Sequence, residues 1–441
     1  MTADLSLEAI CRKMQKLGAQ RIILKPLANN DNSKQQIYLG SDFHVIRQIP
    51  SGNVYSAGVG KYGPVFKAPI NLYWFSMDGT VELAKGSQLI LYPKYPEVRL
   101  SGMVRGCCLA PSHLLQPPTK EERKAREGST RYLILGVRNE SVLAWVSAWK
   151  DFASLEATEL INSGAISLAT SVFYEYCLQP QQGTDSRTQL IHKLKEIYHN
   201  SPHTGRRLNA KGVPLDYKAQ NGAGYTLEAL FGITPNGHSS PDFMDWELKA
   251  HSSGPVTLMT PEPDSGSYRQ DILAFMDSYA TSTSESKKNF ASRHNINIFN
   301  KKSGLTLRFE GYDKSSGQIS DPDGGLMLRD SAGNLAAGWS FSKMIEIWKR
   351  KHANTCFVSY KCHPDINAYS YGPNILLATG TDLTSYLNAL ANSIIYYDPG
   401  TNIKYVKKRQ TWVPKKRNQF RVKEGDINTL YVAVEKINLE D

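Results

Sequence analysis

The stretch from residue 222 to residue 251 constrains the fold more than any other part of the sequence, because it sets charged side chains in an apolar helix–loop–strand pattern. Its first part, Gly-Ala-Gly-Tyr-Thr-Leu-Glu-Ala-Leu-Phe-Gly-Ile, predicts a short helix with Thr226 as its cap. Turn-forming residues follow, and then Pro-Asp-Phe-Met-Asp-Trp-Glu-Leu-Lys-Ala-His predicts a strand. Side chains alternate across a strand, so Glu247 and Lys249 project together. A bulge or bend before Asp242 would bring a second carboxylate to them.

Two carboxylates and an ammonium that converge on one point suit a hard divalent cation and a phosphodiester. Oxygen atoms of Asp242 and Glu247 would hold Mg²⁺, while Lys249 would orient an attacking water or neutralise the scissile phosphate. Glu228, one helix earlier, is a candidate for a further metal-binding or supporting carboxylate. A looser version of the pattern within 263–287 lies in Ser/Thr-rich sequence without an apolar strand, and we attribute it to chance.

Composition narrows the class of protein and of partner. A chain of 441 residues predicts two to three domains. The net charge of +11 and the pI near 9.1 favour a polyanionic partner. The six cysteines include no C-x-x-C pair, which argues against zinc and a disulfide framework and favours a reducing cytoplasm. No apolar run reaches the length of a membrane span and no signal peptide is recognisable, so we expect neither.

The first part of the chain predicts a β-rich domain. Residues 4–17 have the pattern of an amphipathic helix, which Gly18 ends. From residue 20 to about 145, short β-like runs alternate with Gly, Pro and Asn, which predicts an antiparallel barrel or sandwich. The predicted strands are 21–24, 36–39, 64–68, 88–92, 97–103 and 131–137.

A polar run separates this domain from the rest. Trp145 and Trp149 are interpreted as core residues in a helix-like stretch, and 155–177 as a further helix. The run 179–186 is rich in Gln, Gly, Ser and Asp and marks the boundary. The predicted domains are 1–180 and 181–441.

Two polar stretches of the first domain, 25–39 and 92–102, carry basic and amide side chains at strand edges. In a major groove such side chains read base edges: Arg and Lys read guanine, Gln and Asn read adenine, and Glu reads cytosine. A polar turn followed by a solvated strand face has the same composition, and composition alone favours that simpler interpretation.

The second domain alternates helices and strands, which predicts a mixed central sheet. Arg206, Arg207 and Lys211 lie in a Gly-containing loop where they could touch phosphates. Residues 256–259 and 296–299 are predicted as strands that extend the sheet. The other predicted elements are helix 187–199, helix 340–350, strand 354–360 and helix 383–394.

Residues 401–423 contain nine basic residues and no acidic one, interleaved with aromatic residues. A run of like charge is usually a solvated face, but aromatic side chains need packing, and the combination favours a DNA-facing segment. Lysines of this run would contact phosphates, and Arg417 and Arg421 are candidates for bidentate guanine contacts. His363, Tyr371 and Tyr397 are further candidates for lining the groove, although a lone His or Tyr is more often structural.

The motifs of the second domain resemble those of the MvaI/BcnI restriction endonucleases, which are related to the repair nickase MutH. The resemblance rests on Gly-Tyr-Thr-Leu-Glu-Ala-Leu-Phe-Gly-Ile and Ser-Pro-Asp-Phe-Met-Asp-Trp-Glu-Leu-Lys. It continues through Ser-Tyr-Gly-Pro at 370–373, Tyr-Asp-Pro-Gly at 397–400 and Arg-Asn-Gln-Phe-Arg at 417–421, and covers about 181 to 441. That family is a branch of the PD-(D/E)XK nucleases, so the resemblance implies an α/β (α+β) fold in which helices flank a mixed sheet.

The first domain resembles the effector domain of EcoRII-type enzymes over a shorter stretch. The resemblance rests on the spacing Lys…Leu…Asn-Asp…Gln-Ile-Tyr-Leu, followed by Tyr-Pro…Glu-x-Arg-Leu. It implies a β-pseudobarrel of the plant B-three type that grips DNA with two arms. By position, one arm would carry Lys34, Gln35 and Gln36, and the other Lys94, Glu97 and Arg99.

Together the two resemblances imply a type IIE-like restriction endonuclease. It would hydrolyse double-stranded DNA with Mg²⁺ at a short site related to CCWGG, as a monomer stimulated by a second DNA copy. Asp242, Glu247 and Glu228 would bind the metal. Three alternatives stay open: a MutH-like repair nickase, a DNA-binding regulator with a relic nuclease fold, and a first domain that binds something other than DNA.

Overall fold

Strands dominate both parts of the chain, and the chain divides into the units Met1–Gln182 and Gly183–Asp441. The computed structural model describes residues 5–29, 36–41, 45–177, 186–219, 221–234, 241–252, 254–351, 354–381 and 383–441. Within these ranges, no helix is long and apolar enough to cross a membrane.

The first unit consists of two sheets with helices packed on one of them. Its described elements are α1 (Leu7–Lys16), β1 (Arg21–Leu27), β2 (Ile37–Tyr38), α2 (Val45–Gln48), β3 (Tyr55–Gly60), β4 (Gly63–Pro69), β5 (Leu72–Phe75), β6 (Val81–Leu83), β7 (Gln88–Tyr92), β8 (Glu97–Ser101), α3 (Ser112–Leu115), α4 (Lys120–Ala125), β9 (Arg131–Val137), β10 (Val142–Val146), α5 (Phe152–Asn162), β11 (Ser167–Leu168) and β12 (Tyr174–Tyr176).

The strand orders are β11-β12-β1-β9-β10-β5-β6 and β2-β8-β7-β4-β3, and all pairs are antiparallel except β10 with β5. The apolar face of α1 packs with α5 against the first sheet, as its periodicity predicts. The six strands predicted from alternation are present. Closure of the two sheets into a pseudobarrel stays a prediction.

Two helix predictions in this unit are wrong. Trp145 lies on β10, which pairs with β9 and β5. Its neighbours on the strand are β-branched and apolar residues, which favour strands. Trp149 lies in the turn that follows. The helix predicted over 155–177 is only α5, which ends before Gly164 at φ 71°, a conformation that glycine readily adopts. Two short strands replace its second half.

The second unit is built around one five-stranded sheet and several smaller ones. Its described elements are α6 (Ser186–His199), β13 (His203–Thr204), β14 (Arg206–Leu208), β15 (Pro214–Asp216), α7 (Gly222–Leu230), β16 (Trp246–His251), β17 (Val256–Met259), α8 (Ser267–Gln270), α9 (Ile272–Tyr279), β18 (Ser282–Ser284), β19 (Lys287–Phe290), β20 (Phe299–Asn300), β21 (Leu305–Glu310), β22 (Tyr312–Asp313), β23 (Gln318–Ile319), β24 (Gly325–Asp330), β25 (Leu335–Ser340), α10 (Phe341–Lys351), β26 (Asn354–His363), β27 (Ala368–Thr379), α11 (Leu383–Ala391), β28 (Tyr396–Tyr397), β29 (Thr401–Val406), β30 (Thr411–Lys415), β31 (Phe420–Val422) and β32 (Ala433–Asn438), with single 3₁₀ turns at Pro364–Ile366, Lys407–Arg409 and Glu424–Thr429.

The central sheet has the order β13-β27-β26-β16, with β32 also paired to β27. It is mixed, because β16 and β26 run parallel whereas the other pairs are antiparallel. Helices α6 and α7 cover it with Leu190, Leu194 and Leu227 against Trp246 and Leu248. Strand β16 ends the strand order and therefore lies at the sheet edge.

Two strands predicted to extend the central sheet do not do so. Residues 256–259 form β17, which pairs with β31 in a separate three-stranded sheet. The run 296–299 is broken by Asn297 at φ 60°, and only its last residue enters β20, which pairs with β21. The central sheet instead gains β32, for which the sequence analysis predicted no element. The helices predicted at 187–199, 340–350 and 383–394 and the strand at 354–360 are confirmed within a few residues.

We expect Leu328→Ala, in the centre of β24, to lower the free energy of unfolding by about 2 to 5 kcal/mol. Leu328 is 0% exposed on the middle strand of its sheet, between β21 and β25, and truncation would leave a cavity on the face of β24 that its side chain fills. Leu215→Ala on β15 is the matched control, since Leu215 is 43% exposed and its truncation should cost within about 0.5 kcal/mol. Urea unfolding followed by tryptophan fluorescence measures both variants. Equal losses would contradict the assignment of the core.

Candidate active site

A tight turn brings Asp242 alongside β16. Phe243 and Trp246 exchange backbone hydrogen bonds of 2.9 and 2.8 Å, and Met244 between them has φ 53°. The chain therefore reverses, and the backbone N–H of Leu248 donates to Oδ2 of Asp242 at 2.8 Å. The bend predicted before Asp242 thus lies after it. Because β16 is an edge strand, this carboxylate satisfies an N–H group that no neighbouring strand pairs.

Glu247 and Lys249 form an ion pair on one face of β16. Nζ of Lys249 donates to Oε1 of Glu247. The side chains are only 5% and 19% exposed, respectively. Water screens such a pair poorly, so the charges act strongly on each other and on their neighbours.

The surrounding charges keep Lys249 protonated. Burial by itself lowers the pKa of Lys249, but the charge and hydrogen bond of Glu247, followed by the charges of Asp242 and Glu228, raise the pKa above its ordinary 10.5. All three carboxylates therefore act on one ammonium group. Since the folded-state pKa is raised, the stabilisation is fully present below about pH 10.5 and is lost as the pH rises through the folded-state pKa.

Glu228 is carried by α7, and Thr226 has a different role from the one predicted. The helix begins at Gly222, so Thr226 lies inside it and does not cap it. Its buried hydroxyl accepts a hydrogen bond from the N–H of Arg206 at 3.0 Å and donates to the carbonyl of Arg206 at 3.2 Å. Thr226 thereby ties the β14–β15 hairpin to the helix that bears Glu228.

The donor set at this point suits a hard divalent cation. Mg²⁺ in proteins typically uses one or two carboxylates, keeps several waters and takes phosphate oxygens from the substrate. Asp242 and Glu247 supply two carboxylates, while the ranges that the structure describes contain no cluster of three or more His, Cys, Asp or Glu side chains spaced to hold a metal. The residues therefore fit a metal that shares its coordination with water and phosphate.

The basic residues of the β14–β15 hairpin lie next to α7. Arg207 is exposed, and its guanidinium lies 5.3 Å from the ring centre of Tyr217. Arg206 is half-buried, and its Nε has no hydrogen-bond partner in the described chain. Lys211 is exposed at the turn of the hairpin. The sequence analysis missed Tyr217, whose ring limits the rotamers of Arg207.

Asp398 and the residue that precedes β17 hold Arg421. The Arg421 Nη1 donates to Oδ2 of Asp398 at 2.9 Å, and its Nη2 donates to the carbonyl of Pro255 at 2.9 Å. Arg417 is half-buried, and its side chain crosses Gly400 so closely that a Cβ there would lie 3.1 Å from Cδ of Arg417. The Tyr-Asp-Pro-Gly motif, noted only as a resemblance, therefore supports both candidate base-reading arginines.

Tyr397 and Tyr371 are core residues, which corrects their assignment to the groove. Tyr397 is 0% exposed, packs on Trp339 and Phe420, and donates to Oδ1 of Asn418 at 2.7 Å. Tyr371 is 1% exposed and donates to the carbonyl of Ala223 at 2.6 Å. Burial therefore gives both a structural role.

His363 is half-buried and lies 2.9 Å from the hydroxyl of Ser370 across the β26–β27 hairpin.

The basic run 401–423 forms an exposed hairpin and an inner strand. Tyr405 on β29 and Trp412 on β30 pack edge to face at 5.6 Å, and Nζ of Lys288 lies 5.6 Å from the Trp412 ring. The aromatic residues thus support the hairpin itself, while its lysines project into solvent.

In the first unit, the structure brings together three of the six candidate arm residues. The Arg99 Nε donates to Glu97, and its Nη1 donates to Oε1 of Gln36 at 3.2 Å. The Arg99 guanidinium also lies 5.6 Å from the ring centre of Tyr92. Lys94 is exposed, with Nζ 5.8 Å from the ring of Tyr95. The remaining candidates, Lys34 and Gln35, lie outside the described residues.

The fold and the site together define a class: a nuclease of the restriction-endonuclease type, in which a strand bearing Glu-x-Lys lies beside an aspartate at the edge of a mixed sheet. The family model that matches this chain is that of the MvaI/BcnI restriction endonuclease family, over residues 191–431. The match spans more than half of the chain, and the chain belongs to this family. It is therefore a site-specific deoxyribonuclease whose substrate is DNA.

Two solved structures are similar to part of the chain. The restriction endonuclease MvaI in complex with its cognate DNA substrate is 16% identical over 58% of this chain and 100% of that chain, with a TM-score of 0.45. MvaI in the absence of DNA is 14% identical over 58% and 99% of the two chains, with a TM-score of 0.31. No curated protein sequence matches the chain. Restriction endonucleases of this family generally depend on a divalent metal ion.

We expect Glu247→Gln to lower the pKa of Lys249. Burial lowers this pKa, and the substitution removes the carboxylate that most strongly raises it. NMR titration of the labelled Lys249 side chain measures the change. Asp245→Asn is the matched control, since this exposed carboxylate lies in the turn and binds Asn354. An unchanged pKa in the Glu247 variant would contradict the electrostatic account.

Proposed function

We propose that Asp242, Glu247, Glu228 and Lys249 form the centre of a Mg²⁺-dependent phosphodiester hydrolase. The observation that carries the proposal is the buried Glu247–Lys249 pair, whose ammonium group also experiences the charges of Asp242 and Glu228. Asp242 and Glu247 would hold Mg²⁺, and Glu228 would assist. When bound, the metal supplies positive charge that polarises the phosphate.

Lys249 would act as an ammonium donor and not as a base. Its raised pKa keeps the proton on Nζ at neutral pH, so it can donate to the attacking water or to a phosphate oxygen as negative charge develops. Water attacks phosphorus in line with the 3′ oxygen. The bond from the water oxygen to phosphorus forms, the bond to the 3′ oxygen breaks, the water proton leaves to solvent, and the 3′ oxygen takes up a proton. The products carry a 5′-phosphate and a 3′-hydroxyl.

The basic residues would divide into phosphate and base contacts. Arg206, Arg207 and Lys211 are proposed to contact phosphates, because their hairpin is tied to α7 beside the centre. Arg417 and Arg421 are proposed to read guanine. The proposed target is a short site related to CCWGG.

The first unit, over about residues 1–180, is proposed to bind a second DNA copy, which stimulates the nuclease over 181–441. The support is the group formed by Gln36, Glu97 and Arg99. Because β2 pairs with β8, the guanidinium group of Arg99 lies within hydrogen-bond distance of both the amide and the carboxylate. Lys94, Lys34 and Gln35 would complete the contact. The enzyme would act as a monomer that nicks the two strands in turn.

We expect Asp242→Ala and Lys249→Ala each to slow cleavage of unmethylated phage DNA by about 100-fold or more. The first removes a proposed metal-binding carboxylate, and the second removes the ammonium group that would stabilise the developing charge. Asp245→Ala, which removes a neighbouring exposed carboxylate, should cleave normally. Gel electrophoresis measures cleavage with Mg²⁺ and with EDTA, and gel shifts in Ca²⁺ measure binding. Wild-type cleavage in either active-site variant would refute the assignment, and nicks in one strand only would favour a repair nickase.

We expect a short duplex carrying the cleavage site, added in trans, to raise the cleavage rate of the wild-type protein. Sequencing the digest ends first identifies that site. Arg99→Ala should reduce the ratio of stimulated to unstimulated rate, because it removes the side chain that joins Gln36 and Glu97. Lys120→Ala on the exposed face of α4 is the control with a matched loss of charge. Equal stimulation of both variants would contradict a role of this group in effector binding.

A further inference from the structure

The segment 292–302 of the second unit, here called the 292–302 loop, forms a positively charged cleft. The cleft has a volume of about 360 Å³, and the lining residues that matter here are Arg293, Asn295, Ile298, Phe299, Lys301 and Lys302. The loop carries three exposed cations and no acidic residue.

The tip of the loop exposes two large apolar side chains side by side. Ile298 is 57% exposed and Phe299 is 53% exposed. Among the described residues of the second unit, no other neighbouring pair of large apolar side chains is exposed to this extent. Adjacent apolar side chains in water favour contact with a partner.

The backbone beneath the tip is held in place, so the exposure does not come from a loose end. His294 and Tyr397 exchange backbone hydrogen bonds of 2.8 and 3.1 Å, and His294 is fully buried. The N–H of Asn297 donates to the carbonyl of Leu307 at 2.7 Å, and the left-handed conformation of Asn297, at φ 60°, turns the chain. A tip that is ordered before binding loses little conformational entropy when a partner covers it.

The loop lies beside the candidate base-reading residues. The guanidinium of Arg293 lies 3.7 Å from the ring centre of Tyr396, and Tyr396 is paired with Arg421 across β28 and β31. Arg293 and Arg421 therefore flank the same tyrosine. A DNA duplex that reaches Arg421 would bring phosphates near the loop.

We propose that the 292–302 loop is a contact element for the DNA substrate. Ile298 and Phe299 pack in a groove against sugars and base edges, while Arg293, Lys301 and Lys302 bind the flanking phosphates. Duplex DNA is the occupant that the charge favours, because a second copy of this basic chain would be repelled. The position of the groove rests on the proposed role of Arg421, whereas DNA as the substrate follows from family membership.

Two double variants test the two parts of the contact. Ile298→Ser with Phe299→Ser should weaken DNA binding about 10-fold or more, by analogy with other apolar side chains inserted in a groove, and leave the salt dependence unchanged. Lys301→Ala with Lys302→Ala should make the negative slope of log K against log salt shallower by about 1.8. Two phosphate contacts are lost, and each contributes about 0.9 to the slope. All four side chains are exposed, so thermal unfolding should stay as in the wild-type protein.

Binding is measured by fluorescence anisotropy of a labelled duplex carrying the cleavage site, with Ca²⁺ in place of Mg²⁺, over a range of salt concentrations. Val432→Ser, at an 83% exposed position outside the loop segment, is the control for loss of an exposed apolar side chain. Because binding is read without cleavage, failure of this proposal and failure of the catalytic assignment give different results.

Wild-type affinity and salt slope in both double variants would overturn the proposal. So would wild-type DNA binding combined with loss of self-association in the Ile298/Phe299 variant, measured by sedimentation velocity. That outcome would make the tip a contact between copies of the chain.

Discussion

The arrangement of the carboxylates in the catalytic unit depends on the buried ion pair between Glu247 and Lys249. An ammonium group with a side chain only 19% exposed is costly unless opposite charges and hydrogen bonds compensate for its lost hydration. Three carboxylates provide that compensation, and they come from β16, from the preceding turn and from α7. The same arrangement leaves excess negative charge for a metal ion to neutralise, so the stability of the unit and its proposed chemistry depend on the same groups.

Hydrogen bonds between side chains and backbone groups position Asp242 and the helix that carries Glu228. Asp242 is held by the N–H of Leu248, and Thr226 holds both backbone groups of Arg206. These contacts use groups that edge strands and short hairpins leave unpaired. The candidate catalytic carboxylates therefore lie on elements that pack directly on the central sheet, where small displacements are resisted.

Four of the candidate DNA-contacting arginines have a side chain restrained by a neighbouring side chain. Arg421 is held by Asp398, Arg207 and Arg293 lie against tyrosine rings, and Arg99 is held by Glu97. A long side chain loses rotamer freedom when it binds, and a neighbour that restricts it beforehand reduces that loss. Both units thus present restrained guanidinium groups, although their strands belong to different sheets.

Local patterns in the sequence determined those features that depend on neighbours along the chain. Strand alternation places Glu247 and Lys249 on one face, and apolar periodicity predicts α1, α6 and α10, because both depend only on residues a few positions apart. Only the tertiary structure decided which strands pair. It separated β17 from the central sheet, added β32 to that sheet, buried Tyr397 and moved the bend to the far side of Asp242. These outcomes depend on contacts between residues distant in sequence, and hydrophobic periodicity does not record such contacts.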